Sequence, residues 1–217
     1  MNRYATIPWP ATGLFIAIAL VLQDLLLTAL GTNPGLMQTV YRMLVWTVLC
    51  VSMALIFLPP RRVAYLLGFL VCAGLMGWAL WLQYGLELEP CPLCVFQRIC
   101  VISSGIVFLV AFIHNPGRKG ATFYALLTLV TSGIGAAIAA WHVWIQGQPK
   151  GAVAACGMGL NYMLDTMPLS EVIGRVFRGS GECAEQGWLL FGLAIPSWTF
   201  VFFIAMIAAA FALIRRD

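Results

Sequence analysis

Charge is the scarcest commodity in this chain. Lys, Arg, Asp and Glu make up 9% of its 217 residues, while 62% are hydrophobic. Soluble domains carry about 25% charged residues, so a chain this poor in charge is built for a bilayer. Its net charge of +4 is spread out, and no basic stripe with interleaved aromatics offers a face to nucleic acid. Histidine is nearly as rare, with two residues, His114 and His142. A zinc site wants four nearby ligands, commonly as paired Cys-x-x-Cys or His elements. Only one such cysteine pair exists and His114 is expected on the opposite membrane face, so no metal is expected. Covalent haem attachment needs His directly after the second cysteine, where Val95 stands. There is no βαβ pattern, which removes a soluble thioredoxin fold. The first apolar run is too long for a secretory signal and has no small-residue cleavage site.

What the chain has is apolar runs. Six, near 11–30, 37–58, 63–84, 95–113, 121–144 and 192–214, are long enough to cross a ~30 Å hydrocarbon core as helices. Arg3, Arg61 with Arg62, Arg118 with Lys119, and Arg215 with Arg216 fall at alternate ends of these runs. By the positive-inside rule those ends are cytoplasmic, which puts both termini inside. Connections 31–36, 85–94 and 145–191 then face outward. Of seven cysteines, Cys91, Cys94, Cys156 and Cys183 lie in these outward segments, on the oxidising side. Four cysteines allow three pairings. Cys50, Cys72 and Cys100 sit in apolar runs and read as small packing residues.

The stretch Glu89-Pro90-Cys91-Pro92-Leu93-Cys94-Val95-Phe96-Gln97-Arg98 lies at a membrane edge. Its prolines fit a helix start, where a missing N–H costs nothing. With Cys91 near the N-cap and Pro92 first in the helix, Cys94 falls in the first turn, beside unpaired N–H groups and the positive dipole end. Arg98, four residues on, adds fixed positive charge on the same face. Both favour thiolate at Cys94, the reactive species.

Other features frame that stretch. Asp24 and Arg42 reach similar depth in the first hairpin, which favours an ion pair, with snorkelling of Arg42 as the alternative. Trp78, Trp81 and Tyr84 read as an interfacial belt. In the fifth run Ser132, Ala136 and Ala140, beside Gly133/Ala137 and Gly135/Ala139, permit close helix approach. His142 ends that run at the level of Cys94 and Arg98; a solvated polar tip is its commoner role, and the shared level makes it a candidate. The long loop holds an amphipathic stretch from Ser170, a candidate cap, to Phe177, expected to lie flat on the membrane. A Cys156–Cys183 bridge there would close a loop of about 28 residues, worth about 3.5 kcal/mol in a chain-entropy account. Its glycine-rich flanks, Gly157, Gly159, Gly179 and Gly181, suit a mobile loop. One cysteine pair at the membrane edge and two cysteines in a mobile loop fit a dithiol–disulfide relay. Electrons arriving at a membrane edge need an acceptor, and a lipid-soluble quinone is the obvious one.

From about residue 62 onward the chain resembles the disulfide bond formation protein B (DsbB) family. The resemblance rests on Pro90-Cys91-Pro92-Leu93-Cys94 with Arg98, Cys156 followed by the surface helix, Gly181-Glu182-Cys183-Ala184-Glu185, and Ile195-Pro196-Ser197-Trp198. It implies a quinone-dependent oxidase of a periplasmic thioredoxin-like protein, DsbA, in the bacterial inner membrane. On that reading Cys91 pairs with Cys94 and Cys156 with Cys183. Cys156 forms the mixed disulfide with the partner, Cys183 passes electrons to Cys91, and Cys94 reduces ubiquinone or menaquinone with support from Arg98. His142 matches a histidine near the quinone. The implied fold is an all-α four-helix transmembrane bundle, residues 61–217 with loop 145–191, preceded by an extra transmembrane hairpin, residues 1–60, for six spans. That hairpin departs from the family pattern; it is either an accessory element or an upstream start, Met53 lying just before Pro59-Pro60-Arg61-Arg62. A relay serving a different partner, or a non-catalytic module braced by a loop disulfide, are the competing expectations.

Overall fold

The computed structural model describes residues 18, 36–56, 59–88, 90–148, 160–178, 183 and 189–215. The first apolar run with Asp24, the 31–35 turn, Cys156 and the loop glycines at 157, 159, 179 and 181 lie outside these. The described chain is helical: α1 (Leu36–Ile56), α2 (Arg61–Gly85), α3 (Pro92–His114), α4 (Arg118–Gln146), α5 (Leu160–Thr166), α6 (Leu169–Arg178) and α7 (Ile195–Arg215). Four of them, α2, α3, α4 and α7, are long and apolar enough to cross a membrane. Each covers one of the expected runs to within a few residues.

Local chemistry sets the ends. Pro59 and Pro60 separate α1 from α2, and the Pro60 carbonyl accepts the Ala64 N–H at 2.9 Å to open the helix. Helix α3 begins with Pro92 in its first position and stops at Asn115, which adopts a left-handed φ of 45° while its N–H bonds the Ala111 carbonyl. Pro116 then prevents continuation. A two-residue hairpin, β1 (Leu189–Leu190) with β2 (Leu193–Ala194), leads into α7. Its corner residues Phe191 and Gly192 have φ of 50° and 73°, the mirror-image turn that matches strand twist.

Neighbours run in the order α2, α3, α4, α7, α1. Small residues set the close approaches. A Cβ at Gly68 would meet the Phe108 ring at 2.9 Å, and one at Gly105 would meet Cys72 at 3.1 Å. A Cβ at Gly135 would collide with the ring of Phe203. The buried stripe of α4 runs Thr128, Ser132, Gly135, Ala136, Ala139, His142 and Val143, whereas Ala137 and Ala140 are exposed. The small-residue expectation holds for Ser132, Gly135, Ala136 and Ala139 and not for Gly133, Ala137 and Ala140, which are half-buried or exposed. Membrane helices gain from such packing because lipid gives no hydrophobic drive between them. Cys72 is buried in this packing, and Trp78, Trp81 and Tyr84 are exposed along α2.

Two expectations need correction. Helix α6 starts at Leu169 after Pro168, so Ser170 lies inside it and is not its cap. Val172 and Val176 are buried with Cys91, Leu93, Ile138, Ile145, Met163 and Cys183, so this edge of the amphipathic face packs on the protein. Ile173 and Phe177 remain exposed. Arg42 does not snorkel: it is 1% exposed and donates to the Gly192 carbonyl at 3.2 Å.

Candidate redox site

Among the described residues, Cys91, Cys94, Arg98, His142 and Cys183 lie at one end of the bundle, where α2 and α4 finish and α3 and α7 begin. Arg61, Arg62, Arg118, Lys119 and Arg215 mark the other end.

Cys91 is the N-cap residue of α3, extended at φ −64° and ψ 159°, with Pro92 following. The helical turn carries Cys94 back over it, and the two sulfurs stand 3.0 Å apart. Cys91 is buried, while Cys94 is half-buried. The helix-start expectation is met.

Arg98 does not simply extend toward headgroups. Its Nη1 donates to Gln83 Oε1 and its Nη2 to the Ala79 carbonyl at 3.3 Å, tying α3 to α2. Both acceptors are neutral, so they hold the guanidinium without cancelling its charge.

His142 is not a solvated tip; it is 1% exposed. Its Nδ1 lies 3.2 Å from Gln97 Nε2, its Nε2 lies 3.2 Å from the Cys183 carbonyl oxygen, and Cys91 Sγ stands 3.7 Å from Nε2. With the Gln97 amide donating to Nδ1, the ring proton sits on Nε2 and is shared with Cys183. The α4 stripe of small residues ends on His142, a sequence signal that it faces inward.

Cys183, 1% exposed, is the loop residue that arrives here. Its sulfur, that of Cys91 and a His142 ring nitrogen all lie within 4.8 Å of one another. The structure therefore joins Cys91, Cys94, Cys183 and His142, with Arg98 one turn further on; Cys156 lies outside the described residues. Sequence reasoning missed Gln97 and Gln83 as partners. Their signal was present: each is an uncharged polar residue in or beside an apolar run, where an unpaired amide is costly.

Fold and site together define a multi-pass helical membrane protein with a dithiol at a helix start and a loop cysteine brought onto it. A family profile described as "Disulfide bond formation protein DsbB" matches residues 60–213. The chain belongs to that family, whose members are membrane proteins of disulfide-bond formation. It is 52% identical to Disulfide bond formation protein B of Hahella chejuensis over 72% of this chain and 95% of the relative. Identity to the proteins of the same name from Methylobacillus flagellatus and Nitrosococcus oceani is 46% and 50%, over 67% and 66% of this chain and 87% and 85% of theirs. Family membership carries disulfide oxidoreductase activity. Helix α1 lies outside the matched segment.

Proposed function

We propose that the protein oxidises a periplasmic thioredoxin-like dithiol protein of the DsbA type and passes the electrons to a quinone. The observation that carries this reading is the convergence of Cys183 on Cys91, beside Cys94. In the proposed sequence the partner's thiolate attacks the Cys156–Cys183 disulfide at Cys156, forming the mixed disulfide and releasing the Cys183 thiolate. Cys183 then attacks Cys91 of the Cys91–Cys94 disulfide. One sulfur–sulfur bond forms, one breaks, and Cys94 leaves as thiolate. His142 donates from Nε2 to the Cys183 carbonyl with Cys91 Sγ 3.7 Å away, and so positions Cys183 against the sulfur it attacks.

The residues near Cys94 fit a quinone by their chemistry: a half-buried sulfur at the bundle edge, and a guanidinium held by neutral partners. A bound quinone, ubiquinone or menaquinone, supplies a sink for two electrons and two protons. Arg98 would hold it through positive charge beside Cys94, and Cys94 would be the sulfur that gives up the electrons. The cationic helix ends opposite the site support both termini lying in the cytoplasm and loop 145–191 in the periplasm of a bacterial inner membrane. Residues 1–60 are assigned as an accessory transmembrane hairpin on the 61–217 domain, for six spans.

The test is quinone reduction by the purified protein given a reduced DsbA-type partner. One quinone should be consumed per partner disulfide formed, and Cys183→Ser should abolish turnover. Partner oxidation that proceeds without quinone loss would overturn the reading.

A further inference from the structure

The same end of the bundle holds three soft donor atoms that converge. Cys91 Sγ, Cys183 Sγ and a His142 ring nitrogen lie within 4.8 Å of one another, and Cys91 Sγ is 3.7 Å from His142 Nε2. A sulfur and a nitrogen bound to one tetrahedral zinc are about 3.5 Å apart, given Zn–S of about 2.3 Å and Zn–N of about 2.0 Å. The sequence argument against a metal rested on a single Cys-x-x-Cys pair and on His114 at the opposite face; folding instead brings Cys183 and His142 to Cys91.

We infer that, when its cysteines are reduced, the protein binds one Zn²⁺ through Cys91 Sγ, Cys183 Sγ and His142 Nε2, with a water molecule as the fourth ligand. Two thiols release their protons to solvent, two sulfur–zinc bonds and one nitrogen–zinc bond form, and no electron moves. Two thiolates, a neutral imidazole and a divalent cation sum to zero charge. That balance suits a site whose ligands are 9%, 1% and 1% exposed, because a buried net charge is expensive. Two thiolates and an imidazole select a borderline-soft cation over Mg²⁺ or Ca²⁺, which take oxygen ligands.

The surroundings can adapt to the ion. To bind zinc, His142 Nε2 gives up its proton and its contact with the Cys183 carbonyl, and Nδ1 becomes the protonated nitrogen. Gln97, 3.2 Å from Nδ1, accepts that proton once its amide turns over and presents Oε1. An amide carries both donor and acceptor, so Gln97 serves either tautomer. Metal-bound histidines generally have such a partner for their second nitrogen. Zinc at this place fastens Cys183 to Cys91 and withholds both sulfurs from disulfide exchange, a reversible brake on the electron-loaded protein. The inference does not depend on the acceptor being a quinone.

The experiment is a Co²⁺ titration of the full-length protein in detergent, fully reduced and then fully oxidised. Reduced protein should take up one equivalent, with thiolate-to-cobalt charge-transfer absorption and the intense d–d bands of tetrahedral cobalt; Zn²⁺ should displace it. Oxidised protein should show neither band. Gln97→Leu should weaken binding about 10- to 100-fold while leaving all cysteines in place, and Cys94→Ser should keep the charge-transfer band. Cys183→Ser and His142→Ala, checked for unchanged helical circular dichroism, should lose the tetrahedral spectrum. Cobalt uptake unaffected by Cys183→Ser, or lost in Cys94→Ser, would move the site to the Cys-x-x-Cys pair and overturn the proposal. So would a reduced protein that binds no cobalt.

Discussion

Arg98 owes its position to neutral partners. Gln83 Oε1 and the Ala79 carbonyl hold the guanidinium at the α2–α3 edge, and its charge remains for whatever anion forms at Cys94. Losing a charge-assisted contact costs about 1.5–3 kcal/mol, roughly 10- to 100-fold in a rate or binding constant. Arg98→Gln should lower quinone turnover at limiting quinone by about that factor, yet still form the mixed disulfide through Cys156. Arg98→Lys should keep part of the activity, since it retains charge but not the planar fork. Gln83→Leu should give a smaller loss of the same kind, because it frees the guanidinium without removing it. Steady-state turnover against quinone concentration, beside a separate trap of the mixed disulfide, reads all three. Unchanged turnover in Arg98→Gln would show that the residue only braces two helices. Arg98 was legible as a charge one turn from Cys94. Its hold on α2 was not, because helical spacing says which residues share a face and nothing about the helix opposite.

At the scale of elements, α1 shows the same division. Its apolar run was plain in the sequence, but not that it would pack along α7 and onto the hairpin. Met43 is buried with Val143 and Leu193. Trp46 lies 4.9 Å from Trp198 and 5.7 Å from Phe191 between ring centroids, while Trp198 Nε1 donates to the Leu190 carbonyl at 3.0 Å. Arg42 closes the contact at Gly192. Since the contacts of α1 run to α7 and the hairpin, a chain started at Met53 should insert and keep oxidase activity. It should melt at lower temperature, through loss of the Arg42 bond, worth about 1.5–3 kcal/mol, and of the aromatic packing. Thermal unfolding and quinone turnover on one preparation separate the two effects. Normal stability with no activity would instead make α1 part of the working machinery. Gly192→Ala should destabilise the full chain as well, because it places a Cβ at a φ of 73° and drives it into Arg42. If its melting temperature equals that of the parent, the turn is not held as described.

Across the described molecule, the cations flanking the apolar runs, Arg61, Arg62, Arg118, Lys119 and Arg215, lie at one end and the paired cysteines with Cys183 at the other. The alternation of arginines with apolar runs made that polarity readable, since both follow from the cost of charge in lipid. The cysteine pair was readable because Pro92 and the three-residue spacing dictate a helix start. The approach of Cys183 to Cys91 was not, because a long connection carries no periodic signal for where its end returns. That approach is also what the proposed electron path depends on most. The direct measurement is peptide mapping of the purified Cys94→Ser/Cys156→Ser protein after mild oxidation, with thiols alkylated before digestion. The account predicts a Cys91–Cys183 disulfide as the principal bridge, formed without a crosslinker, and its absence when His142 and the cysteines are studied in the unfolded chain. Cys91 recovered as free thiol, or bridged to Cys72 or Cys100 in the folded protein, would contradict it.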